Sequence, residues 1–231
     1  MRAAGAACRA THQGSMISAG KASVTVSMTA RRIEGVVFDV GNVLAHVSYG
    51  RIADEFARHS PLSPEAIVQE LVGTDLEWDS ETGKYDSREH FKRVKDRLKG
   101  NSGWTYEEFA REFASGLALT REGIASLEYA AARCRVFIMS NTPYLHALWM
   151  FEQEILATLP EQLFLSYREG VMKPDPRIWE IFFERTQLPA EKCLFIDDRL
   201  ENCEAAGRLG VRTVHFKKSE MNLLDEVSSL L

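Results

Sequence analysis

Four places in the chain hold side chains that could act on a single substrate. Asp39 interrupts the apolar run GVVFDV, residues 35–40, and is followed by Gly41 and Asn42. The run RVFIMS, residues 135–140, ends in Ser140 and continues into Asn141 and Thr142. Lys173 lies in the segment GVMKP, residues 170–174, and a further run, CLFID (193–197), ends in the pair Asp197-Asp198. Phosphoryl transfer needs an in-line nucleophile and neutralisation of the charge on the equatorial oxygens. Asp39 could attack phosphorus and carry an aspartyl phosphate. The Ser140 hydroxyl and the Asn141 amide could hold phosphate oxygens, and Lys173 could add a point charge. Burial would raise the pKa of Asp39, but a divalent cation and Lys173 would keep it ionised. Mg2+ takes oxygen ligands and keeps several of its waters, so two carboxylates and a carbonyl suffice to hold it.

The elements that must position these groups are legible in the apolar patterning. Runs at 35–40, 135–140, 163–167, 193–197 and 211–216 are near-continuous in apolar, β-branched or aromatic residues. That pattern marks strands covered on both faces, hence a parallel sheet. Helical patterns over 174–187 and 200–209 separate the later runs, the second followed by Gly210. Alternating strands and helices predict a doubly wound, Rossmann-like α/β core. In such a sheet, ligands bind outside the carboxyl ends of the strands, where the four places above fall.

Residues 46–134 are too long for one crossover helix and read as helical, with patterns at 63–73, 87–98 and 105–117. Ser63 and Ser87 are expected to open the first two, and Thr105 with Glu108 to form a capping box. Phe109, Phe113 and Leu117 make a stripe that reads as core packing. The expected organisation is a tail at 1–33, an α/β core at 34–46 and 121–231, and an α-helical cap at 47–120 that would cover the sheet's carboxyl edge.

FDVGNVL, MSNT, GVMKPDP and FIDDRLENCEAA, in that order and at those strand ends, resemble the haloacid dehalogenase-like hydrolase superfamily, helical-cap group. Within it, the FD-x-GNV opening, SNT followed by Leu145-His146 and Trp149, and the E-x-G segment at 81–83 look like the bacterial glucose-1-phosphate phosphatases. The resemblance spans roughly 34–216 and implies a Mg2+-dependent phosphatase acting on a small phosphorylated metabolite. It places the metal on Asp39, the Gly41 carbonyl and Asp198. Asp197 is left to orient Lys173 or a metal-bound water, since adjacent strand residues point to opposite sides. Asn202 stands where the family often has an acid. Trp78, Tyr85 and His90 are candidates to face the site from the cap, and Trp149 reads as packing.

Most phosphatases of this family carry a second Asp two residues after the nucleophile, to protonate the leaving oxygen. Here that position is Gly41. General acid–base help is worth about 10²–10⁴-fold, so its loss needs an account. The leaving group could be acidic, as in a sugar 1-phosphate. His46 could substitute, since histidine titrates near neutrality. The reaction could instead be that of a 2-haloacid dehalogenase, attacking carbon without a metal, or the domain could be an inactive binding or scaffold module.

The composition narrows the remaining classes. A net charge of −5 disfavours nucleic acid as the partner, and no apolar run approaches the roughly 20 residues of a membrane helix. Cys8, Cys134, Cys193 and Cys203 lack C-x-x-C spacing; the last three read as buried hydrophobes in a reducing, cytoplasmic setting. Residues 1–33 contain no Asp or Glu but carry Arg2, Arg9, Lys21, Arg31 and Arg32, a composition expected to be disordered. An organellar transit peptide has that composition too; Met16 and Met28 equally allow an over-extended start.

Overall fold

The computed structural model describes residues 32–231. Strands β1 (Gly35–Phe38), β4 (Arg135–Ser140), β5 (Gln162–Leu165), β6 (Cys193–Asp197) and β7 (Arg212–His215) form a parallel sheet in the order β5-β4-β1-β6-β7. The remaining strands, β2 (Ala45–Val47) and β3 (Leu117–Leu119), make a separate antiparallel pair. All five expected strands are present, and the Rossmann-like α/β architecture is the observed one.

β1 lies at the centre of the sheet and is buried throughout because its alternate residues feed two cores. Val36 and Phe38 join one apolar cluster with Leu127, Ile138 and Ile196. Val37 joins the other with Phe137, Phe164, Trp179, Phe182 and Phe195. Register is set by Phe38 opposite Ile138 on one side and Ile196 on the other. The ladder continues one step beyond the strand, where Asp39 N donates to Ile196 O at 2.9 Å. That bond fixes the backbone from which the candidate nucleophile projects.

Helices α1 (Tyr49–Phe56), α2 (Pro64–Leu71), α3 (Asp75–Glu81), α4 (Ser87–Arg97) and α5 (Tyr106–Ala114) lie between β2 and β3. They share an apolar cluster of Ile52, Phe56, Ile67, Leu98, Trp104 and Phe109. Leu145 joins it from α7 (Tyr144–Glu152), which follows α6 (Arg121–Ala131) and β4. The capping box at α5 is present: Glu108 N donates to Thr105 Oγ1 at 3.2 Å, and Thr105 N to the Glu108 carboxylate at 3.0 Å. Ser63 caps α2.

α4 opens at Ser87 as expected, and its cap is Asp86, whose carboxylate accepts two backbone N–H bonds. Two expectations shift. α5 stops at Ala114, because the chain must turn into β3 to pair with β2; Leu117 therefore belongs to a strand. The expected tail at 1–33 lies outside the described residues except for its last two, and of these Ile33 is buried in the sheet core. Among the described residues no helix is long and apolar enough to cross a membrane.

Gly83 matters at the junction between insert and sheet layer. It adopts a left-handed conformation, φ +67, and a Cβ there would overlap the carbonyl oxygen of Tyr167. Gly83→Ala is expected to destabilise the protein by at least about 1–2 kcal/mol, the cost of a left-handed non-glycine residue alone, read from the urea midpoint.

Candidate active site

The site forms where β1, β4 and β6 end. Lys173 reaches it from the loop after the short helix Ser166–Glu169. Its ammonium is buried and donates to Asp39 Oδ1 at 2.7 Å, Asp197 Oδ2 at 2.7 Å and Met139 O at 2.8 Å. These three bonds use every proton of the ammonium. Burial opposes its charge, but Asp197 and Asp39 outweigh that effect and hold the pKa above the ordinary lysine value. Lys173 is thus a fixed cation.

The Asn141 side chain holds Lys173 in place. Its Nδ2 donates to Lys173 O at 2.8 Å, and its Oδ1 accepts from Lys173 N at 2.9 Å. The sequence assigned Asn141 a role through its backbone amide; this clamp by the side chain was not foreseen. Ser140 is buried, and its hydroxyl makes only a 3.5 Å contact with Asn141 O, too long to satisfy it. Neither residue caps α7, whose N-cap is Pro143.

Asp197 and Asp198 part as strand geometry requires. Asp197 is fully buried and enclosed by donors: Lys173 Nζ, Arg199 N at 2.8 Å, and Asn202 Nδ2 at 3.0 and 3.1 Å to its two oxygens. Asp198 is half-buried, accepts from Asn42 Nδ2 at 3.1 Å, and lines a cavity that Asp197 does not reach. Oxygens of Asp39, Asp197 and Asp198 lie within 4.8 Å of one another.

One ammonium therefore faces three carboxylates. Burial pushes Asp39 up to about 7 against the pull of Lys173, with the charges of Asp197 and Asp198 adding to the rise. Burial likewise raises Asp198, opposed by its bond from Asn42. Oxygen atoms remain unengaged here. The Asn202 Oδ1 is buried without a partner. The turn after Asp39 bonds Ala45 N to Val40 O and Asn42 N to Ala45 O, leaving the Gly41 carbonyl out of both bonds. Excess negative charge with unpaired oxygens is the donor set that suits a hard divalent cation.

The cavity has a volume of about 1020 Å3. Asp39, Gly41, Ser140, Asn141, Lys173 and Asp198 line its floor, and α1–α5 supply much of its wall. Of the cap candidates, Trp78 and His90 line it; Tyr85 does not, its hydroxyl being donated to Leu76 O at 2.7 Å. Trp149 lines it while packing on the sheet core. His46 is exposed on β2 and is absent from the cavity, because the β2–β3 pairing turns it outward.

Glu81, the last residue of α3, is the functional candidate that residue-by-residue reading missed. Its segment was noticed, but not its direction. It lines the cavity, and its carboxyl takes no hydrogen bond among the described residues. Burial raises its pKa to about 8, with the Glu77 charge adding to the rise and Lys173 and Arg199 opposing it.

Two histidines in the wall are uncharged at neutral pH. Burial lowers His90 to about 3, with His146 adding to the effect, and lowers His146 to about 4. In the unfolded chain they titrate near 6.5. As pH falls below that value the unfolded chain takes up protons that the folded one refuses, so stability drops between pH 6.5 and about 3. His90→Phe is expected to flatten this acid slope by up to about 1.4 kcal/mol per pH unit, measured by urea unfolding at pH 7 and pH 5.

The family model for haloacid dehalogenase-like hydrolases matches residues 33–210. The chain belongs to this family and is a hydrolase. A D-ribitol-5-phosphate phosphatase of Bacteroides thetaiotaomicron is 24% identical over 190 residues, 78% of this chain and 90% of that protein. A sesquiterpene phosphatase of Aspergillus oryzae is 31% identical over 84 residues, 36% of this chain and 43% of that protein. Among solved structures, a family enzyme of B. thetaiotaomicron in complex with magnesium and inorganic phosphate has a TM-score of 0.73 at 21% identity. It covers 82% of this chain and 96% of its own.

Proposed function

We propose that this hydrolase cleaves phosphomonoesters in the presence of Mg2+ through an aspartyl phosphate on Asp39. The observation that carries this reading is the buried Lys173 ammonium shared by Asp39 and Asp197, with Asp39 and Asp198 facing one cavity. Asp39, Asp198 and the Gly41 carbonyl would hold Mg2+, which would supply positive charge against the phosphoryl oxygens. Asp39 attacks phosphorus while the Ser140 hydroxyl and the Asn141 amide hold the transferring group and Lys173, fixed beside Asp39, offsets its negative charge. Asp197 keeps Lys173 aimed. The two relatives are named for different alcohols, one a polyol and one a sesquiterpene, and both names say phosphatase. Residues 47–120 act as the cap over the core at 34–46 and 121–231; the β2–β3 pair at its two ends and its own apolar cluster support that division.

Glu81 takes the proton-transfer role that Gly41 cannot. It is protonated at neutral pH and can give its proton to the leaving oxygen as the ester bond breaks. The resulting carboxylate then accepts a proton from the water that attacks phospho-Asp39, which releases phosphate and restores both groups. With this acid present the alcohol need not be an acidic one, so a sugar 1-phosphate is not required. Glu81→Gln is expected to lower kcat on an alkyl phosphate by about 10²-fold or more; with p-nitrophenyl phosphate the first turnover should still release nitrophenolate rapidly, because it leaves without a proton, while steady-state turnover slows because the water attacking phospho-Asp39 has lost its base.

The overall reading is tested by phosphate release from p-nitrophenyl phosphate. The activity should vanish on chelation and return with Mg2+. Chloride release from a 2-haloacid without Mg2+ would replace the phosphatase by a dehalogenase, and silence in both assays would leave a binding module.

A further inference from the structure

Glu81 serves the ester oxygen, but other polar groups in the same cavity wall have no task in the reaction. His90, on α4, is 5% exposed and lines the cavity. Its ring takes no hydrogen bond among the described residues. Tyr85, Phe109 and Phe113 pack around it with ring centroids 5.7, 5.6 and 5.3 Å away. None of them offers a polar atom, because the Tyr85 hydroxyl is donated to Leu76 O. Buried polar groups without a partner are rare and costly. Among the described residues the one fully enclosed side-chain atom of that kind is Asn202 Oδ1. The His90 nitrogens are therefore not sealed in the wall; they open on the cavity that the residue lines.

Two residues of α7 add to this polar wall. His146 stacks on Phe113 with ring centroids 4.2 Å apart, and its Nε2 donates to Phe113 O at 3.1 Å. That bond fixes the tautomer and leaves Nδ1 an acceptor, with no partner among the described residues. Trp149 also lines the cavity, and its indole N–H takes no hydrogen bond among the described residues. Both imidazoles are uncharged at neutral pH, so His90 presents one donor and one acceptor. A hydroxyl is both at once and can satisfy either nitrogen. A carboxylate could meet only the donor, an ammonium only the acceptor, and an alkyl chain would strip water from both with no replacement.

We propose that His90 is the residue that distinguishes a hydroxylated alcohol from an alkyl one: it hydrogen-bonds a hydroxyl of the substrate, with His146 Nδ1 and the Trp149 indole N–H open to further hydroxyls. The substrate is then a phosphomonoester of a polyol or sugar. This rests on the phosphatase reading for its chemistry, but the recognition is testable apart from it. Pentyl phosphate and ribitol 5-phosphate differ only in their hydroxyls. With Mg2+, the wild-type enzyme should favour ribitol 5-phosphate in kcat/KM by about tenfold or more. His90→Phe should cut that preference by about tenfold, mainly through the KM of the hydroxylated ester. His90→Gln, which keeps a donor and an acceptor, should retain part of it. A merely structural role would slow both esters alike and leave their ratio unchanged. His90→Leu gives the same readout if His90→Phe does not fold.

Phosphonates have no ester to cleave, so calorimetry with Mg2+ reads the recognition alone. The phosphonate analogue of ribitol 5-phosphate should bind the wild-type protein about tenfold tighter than pentylphosphonate, and His90→Phe should erase most of that difference. Such discrimination with no phosphate released from any ester would sink the phosphatase reading and leave the role of His90 standing. Phosphate release with no preference for the hydroxylated ester, or with a preference that no His90 variant moves, would overturn the inference and leave the phosphatase reading intact.

Discussion

Asp39→Asn lowers phosphate release by about 10⁴-fold or more, on the scale seen when a covalent nucleophile is removed. The amide has nearly the carboxylate's shape, and its oxygen can still accept the 2.7 Å bond from Lys173, so the fold should survive. What it cannot do is form the acyl phosphate. Stability gives a second readout with a defined sign. Asp39 titrates near 7 in the folded protein without metal, against 3.8 for an ordinary aspartate. Its ionisation therefore costs stability fully above pH 7, and the cost fades as pH falls toward 3.8. The metal-free variant should thus melt higher than wild type at pH 8 and alike near pH 4. Mg2+ should raise the melting temperature of the wild type by mass action and that of the variant much less. An active Asn variant would remove the nucleophile assignment.

Lys173→Met abolishes activity and also destabilises the fold by about 3–5 kcal/mol, as removal of one partner from a buried ion pair does. The side chain of Lys173 is 2% exposed and those of Asp39 and Asp197 are 10% and 0% exposed, so solvent cannot take over its role. Two buried carboxylates would be left facing each other. Asp39, already raised by burial, would then hold its proton still more tightly in the folded state than unfolded, so the defect is largest near neutral pH and shrinks toward pH 5. Urea unfolding of the variant at pH 7.5 and pH 5 measures the difference. A deficit equal at both pH values would show that Lys173 contributes packing and not charge. The contrast with Asp39→Asn is diagnostic: one variant loses activity and keeps its fold, the other loses both.

The strands were readable because each is apolar on both faces, a pattern that local composition records. Asp39, Ser140 and Asp198 were readable for the same reason: each stands where such a run ends. The β2–β3 pair was not, since three-residue strands carry no period and their pairing joins Ala45 to Leu119 across the whole insert. α3 was missed because DLEWDSE buries only Leu76 and Ser80 and shows no apolar stripe. His46 could be named only as one alternative source of a proton; that it points outward follows from the β2–β3 register, which only the fold supplies.

By itself the sequence determined the five strands of the parallel sheet, the helical character of the insert, the residues at the strand ends and hence the chemistry within reach. Those properties depend on short-range patterning. Only the tertiary structure decided that Asn141 clamps the Lys173 backbone, that Asp197 is saturated while Asp198 faces the cavity, and that Glu81 reaches the site from the insert. Each of these depends on where segments far apart in the chain are brought together.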